Sequence, residues 1–136
     1  MTYLLDTCVV SEGSRPAGNA GLKLWLSKKP IDRQYLSVFT VAEIEFGILR
    51  LPSGDRRNRL EQWLKQQLDQ DFPGRVLDFD RRAASAWAIL RNRNANPPTV
   101  DSQIAAIAVA HDLTVVTRNV RDFAFPGLAV FNPWSK

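Results

Sequence analysis

Four acidic residues stand at the edges of apolar segments, where a charge is costly unless something compensates it. Asp6 directly follows the apolar run "YLL", Glu43 follows a second run, and Asp122 follows the run "LTVV". Asp101 begins the helical segment that precedes "LTVV". Ligands of open parallel sheets bind beyond the carboxyl ends of the strands. If the four acids meet there, only a cation or a shared proton relieves their repulsion.

The residue types favour a hard divalent cation over a soft one. Mg²⁺ and Mn²⁺ take carboxylate oxygens and water and serve phosphoryl transfer, whereas Zn²⁺ prefers Cys and His. The chain has one Cys, Cys8, and one His, His111, far apart in sequence. A carboxylate cluster in this chain therefore predicts an oxygen-ligated Mg²⁺ (or Mn²⁺) site.

Each acid also has an ordinary structural interpretation. The segment "TVAE" at 40–43 matches a capping box, and "NVRD" at 119–122 matches the same device at a short helix. Asp101 lies in a helical first turn, where the helix dipole favours an acid. Asp6 suits an Asx-type turn after a strand. These alternatives remain open for each residue taken alone, but four acids at one expected edge favour a shared site.

The elements that would position these acids alternate between strands and helices. Short runs rich in Val, Leu, Tyr and Phe predict strands. The predicted strands are 3–5, 34–38, 75–79, 113–117 and 128–131. The predicted amphipathic helices are 18–28, 40–51, 55–70, 81–92 and 100–111. This alternation predicts an α/β fold with a central, mostly parallel five-stranded sheet flanked by helices.

Length and composition indicate one domain over residues 1–136, with 45% hydrophobic residues. No apolar run approaches the ~20 residues needed to cross a bilayer, and a lone cysteine fits a reducing compartment, so we expect a cytoplasmic protein without a membrane partner. The net charge of +4 favours a polyanionic partner. Arginines cluster in "DRRNR", "FDRR" and "LRNRN", which suits either a nucleic-acid site or a solvated surface.

Taken together, "YLLDT", "VVSE", "TVAEIEFGI", "DSQIAAIAVAHDLTVVTRNVRDF" and the closing "FNPW" resemble the PIN-domain ribonucleases of VapC type. These are the toxin half of bacterial toxin–antitoxin pairs. The resemblance runs from Tyr3 to Trp134 in the family's order and spacing. It implies a PIN-like α/β domain whose acids hold Mg²⁺ or Mn²⁺ for cutting RNA.

Carried over by position, the resemblance implies catalytic roles for Asp6, Glu43, Asp101 and Asp122, with Asp6, Asp101 and Asp122 binding the metal. The fourth acid of the family stands at the place of Asn119 in some members and of Asp122 in others, and here only Asp122 carries a charge. Relatives have Asn where this chain has Cys8. A thiol is a poorer hydrogen-bonding group than an amide, which weakens the expected activity.

The resulting hypothesis is a metal-dependent endoribonuclease acting as a toxin. The resemblance implies as partners a cognate antitoxin, an RNA substrate such as tRNA, a second copy in a homodimer, and operator DNA bound through the antitoxin complex. Two alternatives stay open at this point. One is a non-catalytic module that binds nucleic acid or antitoxin, with Cys8 marking a decayed site. The other is a phosphohydrolase with Asp6 as an aspartyl nucleophile.

Overall fold

A five-stranded parallel sheet forms the centre of the protein, as seen in a computed structural model that describes residues 1–135. The strands lie in the order β3-β2-β1-β4-β5. They are β1 (Tyr3–Leu5), β2 (Gln34–Ser37), β3 (Val76–Leu77), β4 (Thr114–Val116) and β5 (Val130–Phe131). Every pairing between neighbours is parallel, which confirms the predicted sheet.

Six α-helices flank the sheet within the described residues. They are α1 (Thr7–Gly13), α2 (Ala20–Lys28), α3 (Val38–Leu49), α4 (Asp55–Asp71), α5 (Arg81–Arg93) and α6 (Thr99–His111). Two short 3₁₀ helices, Ile31–Arg33 and Val120–Phe123, precede β2 and follow β4. All five predicted helices are present, with ends that differ from the prediction by at most two residues.

The chain reverses its direction of sheet growth at β1. It builds β2 and β3 on one side of β1, then crosses to the other side to form β4 and β5. In such sheets the crevice beyond the carboxyl ends of the strands at the reversal is the usual ligand site. Here that position lies beyond β1 and β4, where Asp6 donates its backbone N–H to the carbonyl of Val116 at 3.0 Å.

Apolar layers cover both faces of the sheet. Successive residues of β1 alternate between them, because strand side chains point to opposite faces in turn. Tyr3 and Leu5 pack into one apolar cluster with residues of α1, α2, α3 and α4. Leu4 packs into the other with α5 and α6. Burial on both faces explains why the strands read as nearly continuous apolar runs.

One helix was not predicted from the sequence. Helix α1 begins immediately after β1, and its N-cap is Asp6, whose side chain accepts a hydrogen bond from the backbone N–H of Thr7. Its seven residues are too few to give a convincing helical period against the neighbouring strand. The segment therefore looked like a continuation of the apolar strand region.

The expected capping box at 40–43 is wrong. Helix α3 begins two residues earlier than predicted, because Ser37 is its N-cap and accepts from the backbone N–H of Thr40 at 3.2 Å. Glu43 lies in the second turn of α3 and caps nothing. The expected cap at 119–122 is also wrong, since Asn119 makes no side-chain capping bond there. Helix capping therefore does not explain the presence of Glu43 or Asp122.

Helix α6 is buried along most of its length, with Ile104 and Ile107 fully inside the second apolar cluster. It has 13 residues, fewer than the ~20 that a bilayer-spanning helix needs. Over residues 1–135, none of the helices combines the length and apolar character required to cross a membrane.

The packing of α6 predicts a large difference between two matched substitutions. Ile107→Ala removes a fully buried side chain and should lower the free energy of unfolding by about 2–5 kcal/mol. Ile89→Ala makes the same change at a side chain that is 55% exposed and should cost about 0.5 kcal/mol or less. Urea unfolding of both variants measures the difference, and equal losses would contradict this account of the core.

Candidate active site

Asp6 is a buried carboxylate at the end of the central strand, with 6% of its surface exposed. The Thr117 hydroxyl, which follows β4, donates to its Oδ2 at 2.8 Å. The backbone N–H of Thr7 donates to its Oδ1 at 2.9 Å. Burial of an ion is tolerated when its oxygens accept hydrogen bonds in this way. The carboxylate is therefore fixed in position by groups from two neighbouring strand ends.

Glu43 is linked to the same region through Thr7. The Thr7 hydroxyl donates to Glu43 Oε1 at 2.7 Å, and it lies 3.4 Å from the hydroxyl of Thr40. Thr40 is buried and its hydroxyl accepts from Ser37 at 3.4 Å. A row of hydroxyl groups thus connects the end of β2 to α1 and holds one side of the acidic region.

Asp101 shows that the four acids share one electrostatic environment. Its pKa is raised from 3.8 to about 6, and the largest cause is partial burial of the carboxyl group. The negative charges of Asp6, Asp122 and Glu43 raise the pKa further, in that order. Asp101 is also the third residue of α6, where the helix dipole favours the ionised form. Burial and the surrounding charges outweigh that dipole.

Asn119 directly precedes the short 3₁₀ helix after β4, and Asp122 lies within it. Both side chains are exposed. The Asn119 backbone N–H donates to the Thr117 hydroxyl at 3.0 Å, which orients the group that holds Asp6. Asp122 contributes charge to the region, as its effect on the pKa of Asp101 shows. The two residues therefore differ in role, one acting through its backbone and one through its charge.

No cation of the described chain compensates these acids. The ion pairs within residues 1–135 are Arg15 with Glu12, at 3.6 Å, and Arg57 with Glu61, at 3.0 Å. Four carboxylates without a cationic partner among residues 1–135 form an oxygen-only donor set, which fits a hard divalent cation.

The donor set is not assembled in advance. Across the described residues, no three of the His, Cys, Asp and Glu side chains lie close enough to hold one ion together as they stand. Glu43 and Asp122 are exposed, with Glu43 accepting from the Thr7 hydroxyl, whereas Asp6 is buried and both of its oxygens accept hydrogen bonds. Binding of one ion by these acids would therefore require the exposed carboxylates to shift toward Asp6.

Cys8 lies beside Asp6. Its thiol is 3.7 Å from Asp6 Oδ2, to which it donates, and 3.7 Å from the Thr117 hydroxyl. Burial, followed by weaker effects that include the Asp6 charge, raises the pKa of this thiol, so it stays protonated at neutral pH. The Cys8 thiol therefore contacts Asp6 where the resemblance led us to expect an Asn amide. Its sulfur also packs against the apolar cluster that contains Tyr3 and Leu5.

Three supporting residues were missed from the sequence. Thr117, Ser37 and Thr40 are all buried hydroxyl residues at or just beyond the ends of β4 and β2. The sequence signal for each of these residues is a small polar side chain at the end of an apolar strand. The same kind of signal identifies Asp6 as a candidate site residue. Hydroxyl residues are common at such positions for capping alone, so the pattern did not single them out.

Comparisons with known proteins agree with the fold. The family model described as PIN domain matches residues 3–125. Toxin FitB of Neisseria gonorrhoeae is 39% identical over 135 residues, which cover 96% of this chain and 97% of that protein. VapC ribonuclease Y4jK of Sinorhizobium fredii is 36% identical over 135 residues, with 96% of each chain covered.

Among solved structures, a chain of FitAB bound to an IR36 DNA fragment superposes with a TM-score of 0.90 and 36% sequence identity. The match covers 99% of this chain and 97% of that one. Similarity along almost the whole length, in sequence and in structure, shows that the chain belongs to the PIN domain family, in its VapC-type branch.

Proposed function

We propose that this protein is a divalent-metal-dependent endoribonuclease that hydrolyses RNA phosphodiester bonds, acting as the toxin of a toxin–antitoxin pair. The observation that carries the proposal is the group of four acids at the reversal point of the sheet, which no Lys or Arg of residues 1–135 neutralises. Relatives named as a toxin and as a ribonuclease support the same activity.

Asp6, Asp101 and Asp122 would hold Mg²⁺ (or Mn²⁺), and Glu43 would act with them as the fourth catalytic acid. A bound ion of this kind polarises the scissile phosphate and lowers the pKa of a water molecule. Thr117 and the N–H of Thr7 hold the Asp6 carboxylate in a fixed orientation. Such outer hydrogen bonds typically contribute ten- to a hundredfold to metal affinity or activity.

The burial of Asp6 argues against its use as a covalent nucleophile. Both carboxylate oxygens accept hydrogen bonds and only 6% of the residue is exposed, so a phosphoryl group could not reach it without local opening. A ligand role suits this environment better, because ligands need fixed orientation more than access.

Basic side chains beyond the acids would hold the RNA backbone. Arg118 directly follows Thr117 and lies over the Trp134 ring, with its guanidinium carbon 5.9 Å from the ring centroid. Arg50 lies over the Phe46 ring at 5.6 Å. Both arginines are exposed. Contacts from such groups to phosphates give affinity without sequence preference.

The same proposal includes the partners of a toxin. A cognate antitoxin would cover the acidic site, and the solved FitAB complex with a DNA fragment supports operator binding through that complex. Exposed apolar side chains on α3, Phe46 at 61% and Leu49 at 58%, offer a surface for protein association, including a homodimer. Cellular RNA as substrate would place this single domain of residues 1–136 in the cytoplasm.

Replacing Asp6 tests the catalytic assignment. Asp6→Asn keeps the shape of the side chain but removes its charge, and we expect RNA cleavage with Mg²⁺ to fall about a hundredfold or more. Asp78→Asn is the matched control, because Asp78 also directly follows a strand of the sheet and does not act on Asp101. Cleavage of total tRNA by both variants is measured on gels. Unchanged turnover in Asp6→Asn would sink the assignment.

Removal of divalent ions tests the cofactor. Cleavage should stop in excess EDTA and return when Mn²⁺ or Mg²⁺ is added in excess of the chelator. Isothermal titration of the metal-free protein with Mn²⁺ should show binding that Asp101→Asn weakens, because a ligand charge is lost. Cleavage that persists in EDTA would contradict the metal-dependent mechanism and favour another class of nuclease.

The raised pKa of Asp101 predicts a pH-dependent stability in the absence of metal. Between pH about 4 and about 6 the folded state keeps a proton that the unfolded state has lost, so this residue makes stability fall as pH rises. Allowing for its partial exposure, the loss is about 1 kcal/mol at neutral pH. Asp101→Asn should therefore be more stable than the wild type by about this amount at pH 7.5 in EDTA.

At about pH 3, below the pKa of 3.8 in the unfolded chain, the two proteins should unfold alike, since the wild-type carboxyl is then mostly protonated in both states. Urea unfolding across the pH range measures the difference between variant and wild type. A difference that does not change with pH would show that Asp101 is not crowded by the other acids.

A further inference from the structure

A cavity opens at the turn between α5 and α6, next to the acidic site. Its volume is about 430 Å³, within the range of small-molecule sites. The lining includes Trp87, Arg91, Asn94, Asn96, Thr99 and Ser102. Thr99 is the first residue of α6 and Asp101 is the third, so the cavity and the acidic site share one helical turn. Nothing in the proposed catalytic mechanism uses this cavity.

Arg91 forms a flat cationic wall of the cavity. Its guanidinium carbon lies 4.7 Å from the centroid of the Trp87 ring. Trp87 is itself held, because its Nε1–H donates to the Ser102 hydroxyl at 2.9 Å and its ring meets the edge of Phe79 at 82°. One face of the guanidinium thus rests on a fixed aromatic ring, and the exposed side chain leaves the other face for a ligand.

The charge of Arg91 is not used within the described chain. Neither ion pair of residues 1–135 includes it. A cation left free in a cavity that shares the first turn of α6 with Asp101 would attract a polyanion toward an acidic site that otherwise repels it.

Two asparagines also line the cavity. Asn94 donates its Nδ2–H to the carbonyl of Leu90 at 2.8 Å, and no hydrogen bond within residues 1–135 uses its Oδ1. Asn96 adopts a left-handed backbone conformation, with φ of 50°, at the tip of the turn. Amide donors and acceptors next to a flat cation are what protein sites use for unpaired nucleobases, which stack on arginine and bond through their edges.

We propose that this cavity binds one unpaired nucleobase of the RNA substrate, stacked on the Arg91 guanidinium, and thereby selects which phosphodiester bond reaches the acidic site. The proposal rests on the nuclease function above and adds a specificity-determining subsite to it. Trp87 supports the stack from behind and does not meet the base. Sequence preference would come from the amides of Asn94 and Asn96.

Binding of short single-stranded RNAs in EDTA tests the subsite without any chemistry. Arg91→Ala should weaken binding about tenfold or more, the usual effect of losing one stacked base. Arg93→Ala is the matched control, since it removes the same charge from the same helix at an exposed residue outside the cavity lining. It should weaken binding much less. Arg91→Lys keeps the charge but loses the plane and should resemble Arg91→Ala.

An abasic nucleotide moved along the RNA identifies the bound base. At one position the abasic nucleotide should weaken the binding of the RNA to the wild type. At that same position it should not change the affinity of the RNA for Arg91→Ala. Equal losses in Arg91→Ala and Arg93→Ala, or wild-type binding by Arg91→Lys, would overturn the proposal in favour of simple charge attraction. A change of mass for Arg91→Ala in sedimentation would overturn it in favour of a contact between copies.

These results are separable from the nuclease proposal. If the wild type binds RNA as described but does not cleave it with Mn²⁺ present, the subsite stands and the nuclease function fails. If the wild type cleaves RNA and the cleavage positions are the same for Arg91→Ala, the nuclease function stands and the subsite fails.

Discussion

The buried carboxylate of Asp6 is the constraint on which the rest of the structure depends. It ends the central strand, caps the helix that follows, and accepts from Thr117 at the end of the neighbouring strand. Leaving such a charge unsatisfied would cost several kcal/mol, so β1, β4 and α1 must all be in place around it. The residue that organises the site thus also joins three elements of the fold.

Charge is distributed unequally around that fixed point. Asp6 is buried and Asp101 is partly buried, whereas Glu43 and Asp122 are exposed at the rim. Hydrogen bonds hold the buried Asp6 in one orientation. In the proposed function, the positive charge that attracts RNA lies outside this group of acids, on Arg91 and Arg118, which rest on the rings of Trp87 and Trp134. RNA binding and catalysis would then use separate parts of the surface.

Much of this arrangement follows from local sequence signals. The five strands and the longer helices were predictable because apolar runs and helical periods are local, and the acids stood out because each interrupts an apolar segment. Helix α1 was not predictable, since it depends on a cap rather than a period. Thr117 was missed because its partner lies 111 residues away. The cavity beside Arg91 depends on the packing of α5 against α6, which no periodicity encodes.

The position of β1 in the middle of the sheet has a consequence for synthesis. Strand β1 pairs with β4, which comes much later in the chain, and Tyr3 lies opposite Thr114. The Thr117 hydroxyl that donates to Asp6 directly follows β4. A nascent chain emerging from the ribosome lacks these parts until residue 117 has been translated. Because a domain generally folds as one unit during synthesis, an RNA-cutting site with this topology stays incomplete until β4 and Thr117 have emerged to join β1.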